Sequence, residues 1–502
     1  MKSVVLTRIT IETISPLSIY SGERTLLSND ALARDWNGLP YIPATSLTGV
    51  WKSVLDEKFS EELDFWFGSL SEKMEDDKRK ASRMLVSDAL MLNHVSELPG
   101  NAQKLRGVIT SEDIRKDSLL SRFTLENDKD FERTNCSISS RKSAKNKALF
   151  KTLILPKGLR FAFDVKAELD EDKDFEKYEQ LLGYIGSVGF SIGARTSNGH
   201  GQFKVIGIKT EQYRIGDYAE HPEELAGNIR RFMSSRKVPL DTKDSGSLLS
   251  DSGSFIIPEG WEFSLESKGT WRLGNGRKSA EELSEGRNRT IKYLESERKS
   301  EQTPQKCFSD GVVEWNPDNT FRQIKYELLV PGSTVKGIIA HRTLFHYLRI
   351  NECFADEASP LDVGSMVSDL HNGKKANALL DDYCEIFGAN DPENPDGVKS
   401  GAVRISDCRV DCSGAVTRTH NSLDRFTGGV MPSSLFSQEK IVNPRIYVSI
   451  RIRRDRWEKL KEKPIGEALN CTIYDLKNGF LNICAGAGRD TAVFSEYKEG
   501  NE

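Results

Sequence analysis

The same six signals occur twice in this 502-residue chain, in the same order, and that repetition constrains the fold more than any single motif does. The first series runs Asn29-Asp30 with Trp36, then Ile42-Pro43-Ala44-Thr45-Ser46-Leu47-Thr48-Gly49, Phe67-Gly68, Ser87-Asp88-Ala89, Ile138 to Leu149-Phe150, and a glycine-rich turn from Gly189 to Gly201. The second runs Ser309-Asp310 with Trp315, then Val330-Pro331-Gly332-Ser333-Thr334-Val335-Lys336-Gly337, Phe387-Gly388, Ser406-Asp407-Cys408, Leu423 to Leu435-Phe436, and a turn at Gly486 and Gly488. Six ordered matches make the chain two copies of one unit. Its length agrees, because one hydrophobic core rarely grows beyond about 250–300 residues. The boundaries read as 1–215 for the first copy, 216–253 for a linker carrying Pro222, Pro239 and Asp244-Ser245-Gly246-Ser247, and 254–502 for the second.

Alternation of apolar and polar residues from 3 to 18 (Val5, Thr7, Ile9, Ile11) predicts a half-buried strand. After Pro43, the spacing of Leu47, Val50, Trp51, Val54 and Leu55 predicts an amphipathic helix with Ser46 as its N-cap. Strand, proline loop and helix recur through Ile324 to Leu344. Further strands are expected at 84–86, 153–155, 161–165 and 203–206, which makes the class α+β. The copies differ by excursions. The interval from Asp88 to Ile138 is about 34 residues longer than that from Asp407 to Leu423, so the segment at roughly 100–148, rich in Arg and Lys, reads as a protruding arm.

No apolar stretch approaches the roughly 20 residues that span a membrane, and the apolar run at Val4-Val5-Leu6 is too short for a signal peptide. Eight scattered cysteines without a paired framework fit reduced thiols, and the expected location is the cytoplasm. Cys408, Cys412 and His420 form the nearest metal-like group but lack a fourth ligand, so buried thiols are preferred over zinc. A net charge of −4 argues against indiscriminate nucleic-acid binding. Basic runs are nevertheless segregated, at Arg141-Lys142-Lys145-Lys147-Lys151, at Arg277 to Lys292, and at Arg451 to Arg456.

The segment Gly189 to Gly201, with Arg195 inside it, suits a backbone-amide cradle for phosphate, a structural turn being the plain alternative. Its echo at Ala485-Gly486-Ala487-Gly488-Arg489 favours the cradle. The two helix starts, at Ser46 and at Ser333-Lys336, offer unpaired amides to phosphate, and Lys52 and Arg342 add charge a turn further on; simple capping would equally account for the motif. Thr419-His420-Asn421-Ser422-Leu423-Asp424-Arg425-Phe426-Thr427-Gly428-Gly429 is the densest polar cluster, with Thr134 to Arg141 in its place in the first copy.

At these residues the chain resembles the RAMP (repeat-associated mysterious protein) superfamily of CRISPR systems, and in particular the backbone subunits of type III effector complexes. The proline helix start, the Phe-Gly, the Ser-Asp strand, the His-Asn-x-Leu-Asp-Arg-x-Thr-Gly loop and the glycine-rich loop stand in that family's order. The resemblance implies two tandem modified RRM or ferredoxin-like domains with protruding thumb hairpins, as in the double-backbone subunit of III-D-like effectors. It implies a guide RNA and a complementary target RNA as partners, together with other effector subunits. Ser46, Lys52, Arg141, Arg195, Ser333, Lys336, Arg342, His420, Asn421 and Arg425 are the candidate RNA contacts.

The resemblance also implies one aspartate per unit, ahead of the proline motif, that supports metal-dependent cleavage of target RNA. Asp30 and Asp310 match it, with Asp35 and Asp318 as fallbacks. Spacing to the following tryptophan agrees within one residue, whereas Asp310 lies eight residues farther from its proline. One carboxylate suffices where RNA supplies its own 2′-OH nucleophile and a kink aligns it, with Mg2+ or another divalent cation held at Asp30 and Asp310. A non-catalytic RNA-binding scaffold is the alternative. A free-standing guide-maturing ribonuclease is disfavoured because the seven histidines form no evident catalytic pair.

Overall fold

A computed structural model of the chain describes residues 3–23, 30–68, 81–93, 109–138, 144–235, 238–240, 255–276, 293–296, 305–352, 381–388, 400–432, 434–483 and 493–497. The first half contains β1 (Ser3–Thr13), β2 (Tyr41–Ile42), α1 (Ala44–Phe59), β3 (Met84–Val86), β4 (Ala89–Met91), the hairpin of β5 (Glu132–Ile138) and β6 (Ala144–Leu153), β7 (Arg160–Leu169), α2 (Lys173–Val188), β8 (Phe190–Ser191), β9 (Gln202–Arg214) and α3 (Pro222–Ser235). Its antiparallel sheet has the order β2-β4-β7-β1-β9-β8, with β3 also on β7. The apolar stripe of α1 (Leu47, Trp51, Leu55) and that of α2 (Tyr178, Leu181, Ile185) cover one face, against Ile9, Ile11, Phe163 and Val165. Trp51 meets Phe163 edge-on at 5.5 Å.

The expected half-buried strand at residues 3–18 is buried on both faces over its strand portion, β1. The reason lies in the segment read as linker, where α3 packs Phe232 onto Val4, Leu6 and Tyr213. Arg8, on that same face, forks to both Asp164 oxygens at 2.7 and 2.9 Å, which compensates its desolvation.

The second half repeats the plan. It contains β10 (Glu262–Glu266), β11 (Ser309–Trp315), β12 (Phe321–Val330), α4 (Gly332–Ile350), β13 (Val403–Ile405), β14 (Cys408–Asp411), the hairpin of β15 (Gly414–His420) and β16 (Phe436–Val442), β17 (Arg445–Arg453), α5 (Pro464–Lys477) and β18 (Ser495–Glu496). The sheet order is β11-β12-β14-β17-β10-β18, with β13 on β17. Val335 and Ile339 of α4 and Leu469, Ile473 and Leu476 of α5 fill its core. Strand for strand, β12, β14, β17, β10 and β18 stand where β2, β4, β7, β1 and β9 stand in the first sheet.

Each repeated signal has a local cause. Phe67 and Phe387 end short helices, and Gly68 (φ 73°) and Gly388 (φ 91°) supply the left-handed residue that follows. Pro43 and Pro331 open α1 and α4 as their N-caps without a side-chain hydrogen bond, so Ser46 lies in the first turn and is not the cap. The donor is satisfied from elsewhere. Asp88 accepts from the Ala44 N–H at 2.8 Å, and Asp407 accepts from the Gly332 N–H at 2.8 Å. The Ser-Asp signal is thus the anchor that ties each helix start to its sheet. The eight extra residues before Pro331 lengthen the β11–β12 hairpin, whose first-half counterpart is a short turn bridged at Arg34 and Pro40.

Of the arm expected at roughly 100–148, residues 100–108 and 139–143 lie outside the described residues. Residues 109–131 form a short helix and turns whose Ile114, Leu119, Leu120 and Phe123 join the first core, so among the described residues of that segment the arm-like element is the β5–β6 hairpin.

Candidate functional site at the seam between the halves

Among the described residues the two halves meet through three elements, and several of the candidate residues lie along that seam. The β11–β12 hairpin of the second half lies on the turn between β6 and β7. There Val313 N–H reaches the Lys157 carbonyl at 2.9 Å, Trp315 Nε1 donates to the Gly158 carbonyl at 2.7 Å, and Lys157 Nζ lies 3.1 Å from Glu327. Val313 is itself part of the first half's core.

In the opposite direction, Arg133 at the base of β5 reaches into the second half. Its Nη2 donates to Asp310 and, at 2.8 Å, to Asp407. Burial alone would lower the Arg133 pKa; the charges of Asp310 and Asp407 outweigh it and raise it. Burial would likewise raise Asp407, but Arg133 foremost and then His200 hold it below the usual carboxylate range. Asp310 sits in β11, with an arginine from the other half on its carboxylate.

The third element is the glycine-rich loop. A Cβ on Gly199, at φ 77°, would lie 2.5 Å from Ser406 Cα, and one on Gly332 would lie 2.9 Å from the Asn198 carbonyl oxygen. These glycines let two backbones approach across the seam. Gln202 donates to Ser406 Oγ at 3.1 Å, and Arg404 donates to Ser191 Oγ at 3.2 Å. The loop expected to cradle phosphate thus spends Gly199 on contact with the second half, and its echo at 485–489 lies outside the described residues.

Arg195 adopts the left-handed conformation (φ 62°), hydrogen-bonds the Tyr20 hydroxyl and lies 5.2 Å from the Phe150 ring. Burial lowers its pKa, opposed by Tyr20 and by the nearby charge of Asp30. His200, 3% exposed, accepts or shares a hydrogen bond with Ser18 Oγ at 3.3 Å. Burial lowers its pKa to about 4, against the charge of Asp407, so the ring is neutral at pH 7. Arg195 lies within electrostatic reach of Asp30 and of Arg133, so both candidate carboxylates border one buried charge cluster.

The other candidates divide. Lys52 is exposed on α1, and Ser46 and Ser333 lie half-buried in the first helical turns. Lys336 is 8% exposed, and its Nζ donates to the Ser197 carbonyl at 3.3 Å; burial, then Arg404, lowers its pKa to about 8. Its hydrogen bond is made inside the chain. Arg342 Nε donates to Asp475 at 2.5 Å, where His346 also sits at 2.8 Å. His420 stacks on Phe436 at 5.5 Å, at the last strand pair before the tip of the β15–β16 hairpin, and Asn421 and Arg425 are exposed in that tip. Asp424 ties that tip by accepting from the Phe426 and Thr427 N–H groups, which leaves Phe426 97% exposed. Arg141 lies outside the described residues. Cys408 is buried and donates to the Ser406 carbonyl at 3.5 Å, and burial pushes its thiol pKa up, as the free-thiol reading expects. Among the described residues no group of three or more His, Cys, Asp and Glu is arranged to hold a metal ion.

The sequence reading missed Arg133, His200 and the capping role of Asp88 and Asp407. The last was accessible, because Asp follows Ser at the same place in both series; nothing local marks Arg133.

Residues 10–204, from β1 into β9, match the family model of the RAMP superfamily. Over those residues the first half is similar to a RAMP-superfamily domain. The match takes in its proline motif, its Ser-Asp anchor and its glycine-rich loop. The second half repeats the strand order of the first. Among solved structures, the chain is similar at 15% identity and a TM-score of 0.28 to a chain of the type III-B Cmr-beta complex bound to cognate target RNA, over 42% of this chain and 61% of that one. It is similar at 16% identity and a TM-score of 0.29 to a chain of the apo Cmr-beta complex, over 40% of this chain and 96% of that one. No curated protein matches. No helix among the described residues is long and apolar enough to cross a membrane.

Proposed function

We propose that this chain is a guide-RNA-binding backbone subunit of a type III CRISPR effector, of the double-backbone kind, that positions complementary target RNA and cleaves it at one or two sites. The observation that carries the reading is the paired placement of Asp30 and Asp310. Each precedes the turn that leads to the proline helix; Asp310 carries Arg133 on its carboxylate, and Asp30 lies within electrostatic reach of Arg195. A carboxylate next to a guanidinium suits transfer at phosphorus: the carboxylate draws off a 2′-OH proton, and the guanidinium meets charge growing on the phosphate. A lone carboxylate per half fits a Mg2+ that keeps most of its waters and takes further ligands from substrate phosphates. Asp30 or Asp310 would hold it, and the ion would add charge stabilisation at the scissile phosphate.

Asp310 also supports the second reading, a scaffold half without chemistry, because Arg133 already satisfies its charge. The exposed hairpin β15–β16, with Asn421, Arg425 and Phe426 towards its tip, suits contact with the guide–target duplex. The binding part of the proposal is tested by RNA recovery with the purified protein. Neutralising Lys52, Arg195 and Arg425 together should lower guide occupancy and flatten its salt dependence, as counterion release requires. Unchanged occupancy would remove these residues from the guide path.

A further inference from the structure

The contact that seats β11 on the first half has a structural double at the far end of the chain. In the first half, Gly158 takes φ 88° and its carbonyl accepts Trp315 Nε1, while the Arg160 guanidinium lies 4.2 Å from the Trp315 ring centroid. Arg160 is held there by Glu12 on the neighbouring strand at 2.8 Å. The register reproduces this socket in the second half. Glu266 faces Arg445 as Glu12 faces Arg160, and the Ser267 N–H reaches the Pro444 carbonyl as the Thr13 N–H reaches that of Leu159. The residue before, Asn443, takes φ 49° in the place of Gly158.

The plug is double as well. Trp36 follows Asp30 as Trp315 follows Asp310, and it stands 57% exposed at the turn of its hairpin. Inside the chain, then, one plug fills one socket, leaving a plug at one end and a socket at the other. That socket is engaged. Beyond β18, the Tyr497 N–H binds the Ser264 carbonyl at 2.8 Å, and the Arg445 guanidinium lies 3.6 Å from the Tyr497 ring centroid. Tyr497 thereby takes the cation that an incoming tryptophan ring needs.

We propose that Asn443 and Arg445 form a socket for the Trp36 hairpin of a second copy of this chain, and that Tyr497 keeps it closed. A plug and socket on different surfaces make a heterologous contact, which adds copies without closing. Tyr497 ends that series at one copy. The test is sedimentation equilibrium of the RNA-free full chain over a range of concentrations. Wild type and Tyr497→Phe, which keeps the ring, should hold the monomer mass throughout. Tyr497→Ala, and Tyr497→Leu as a variant that keeps apolar volume, should gain mass with concentration, and adding Trp36→Ala should restore the monomer. A Tyr497→Leu protein that folds and stays monomeric would overturn the proposal. So would self-association that survives Trp36→Ala, or a wild type that already associates through Trp36.

Discussion

Arg133 Nη2 lies 2.8 Å from Asp407 Oδ2 although 274 positions separate the two residues, and the same Asp407 caps α4. One carboxylate therefore joins the first half's hairpin to the second half's proline helix. Replacing Arg133 by alanine leaves Asp310 and Asp407 as neighbouring like charges, one of them buried. Breaking a buried pair in this way costs about 3–5 kcal/mol. Urea denaturation of Arg133→Ala should show a loss of that order, and a loss below about 1 kcal/mol would mean the seam does not depend on the pair.

His200 gives the seam a pH dependence of defined sign. Its folded pKa, about 4, is below the unfolded value near 6.5. The unfolded chain thus binds the proton first, so stability is at its full value above about pH 6.5 and falls as the pH drops towards 4. The loss amounts to roughly 3 kcal/mol at most. His200→Gln should flatten the wild-type stability curve between pH 6.5 and 4; identical slopes would remove His200 as the cause.

The motif glycines separate by function. Gly49 is exposed in α1 with open space around its Cβ position, so Gly49→Ala should leave stability unchanged or raise it by up to about 1 kcal/mol. Gly332→Ala places a methyl against the Ile405 carbonyl and should cost about 1–3 kcal/mol. Thermal melts of both variants decide the matter, and a destabilised Gly49→Ala would contradict the placement.

Phe426 packs against nothing that its removal would unfold. Phe426→Ala should therefore melt with the wild type while shifting or weakening target cleavage, if the β15–β16 tip meets the duplex. A stable variant with unaltered cleavage would exclude the tip from the duplex.

The repeat and the α+β class were legible in the sequence because helix stops, caps and strand alternation are local: Phe67-Gly68, Pro43 and β1 each carry their own signal. The seam was not. Whether Gly199 meets a phosphate or Ser406 depends on a partner about two hundred positions away, and no spacing rule reports that. Lys336 shows the same limit, since a lysine in a helix's first turn looks identical in sequence whether it faces solvent or Ser197. Asp30 and Asp310 were legible as a pair, but the arginine on Asp310, Arg133, becomes its partner only through the docking of the halves.

The central claim is most directly tested by incubating the assembled ribonucleoprotein with labelled complementary RNA and Mg2+, comparing wild type with Asp30→Ala and Asp310→Ala. The account predicts that Asp30→Ala loses one product band with guide and target still bound, that any band due to the second half goes with Asp310→Ala, and that chelating divalent ions abolishes all of them. Retention of every wild-type band by the Asp30→Ala, Asp310→Ala double variant would contradict it.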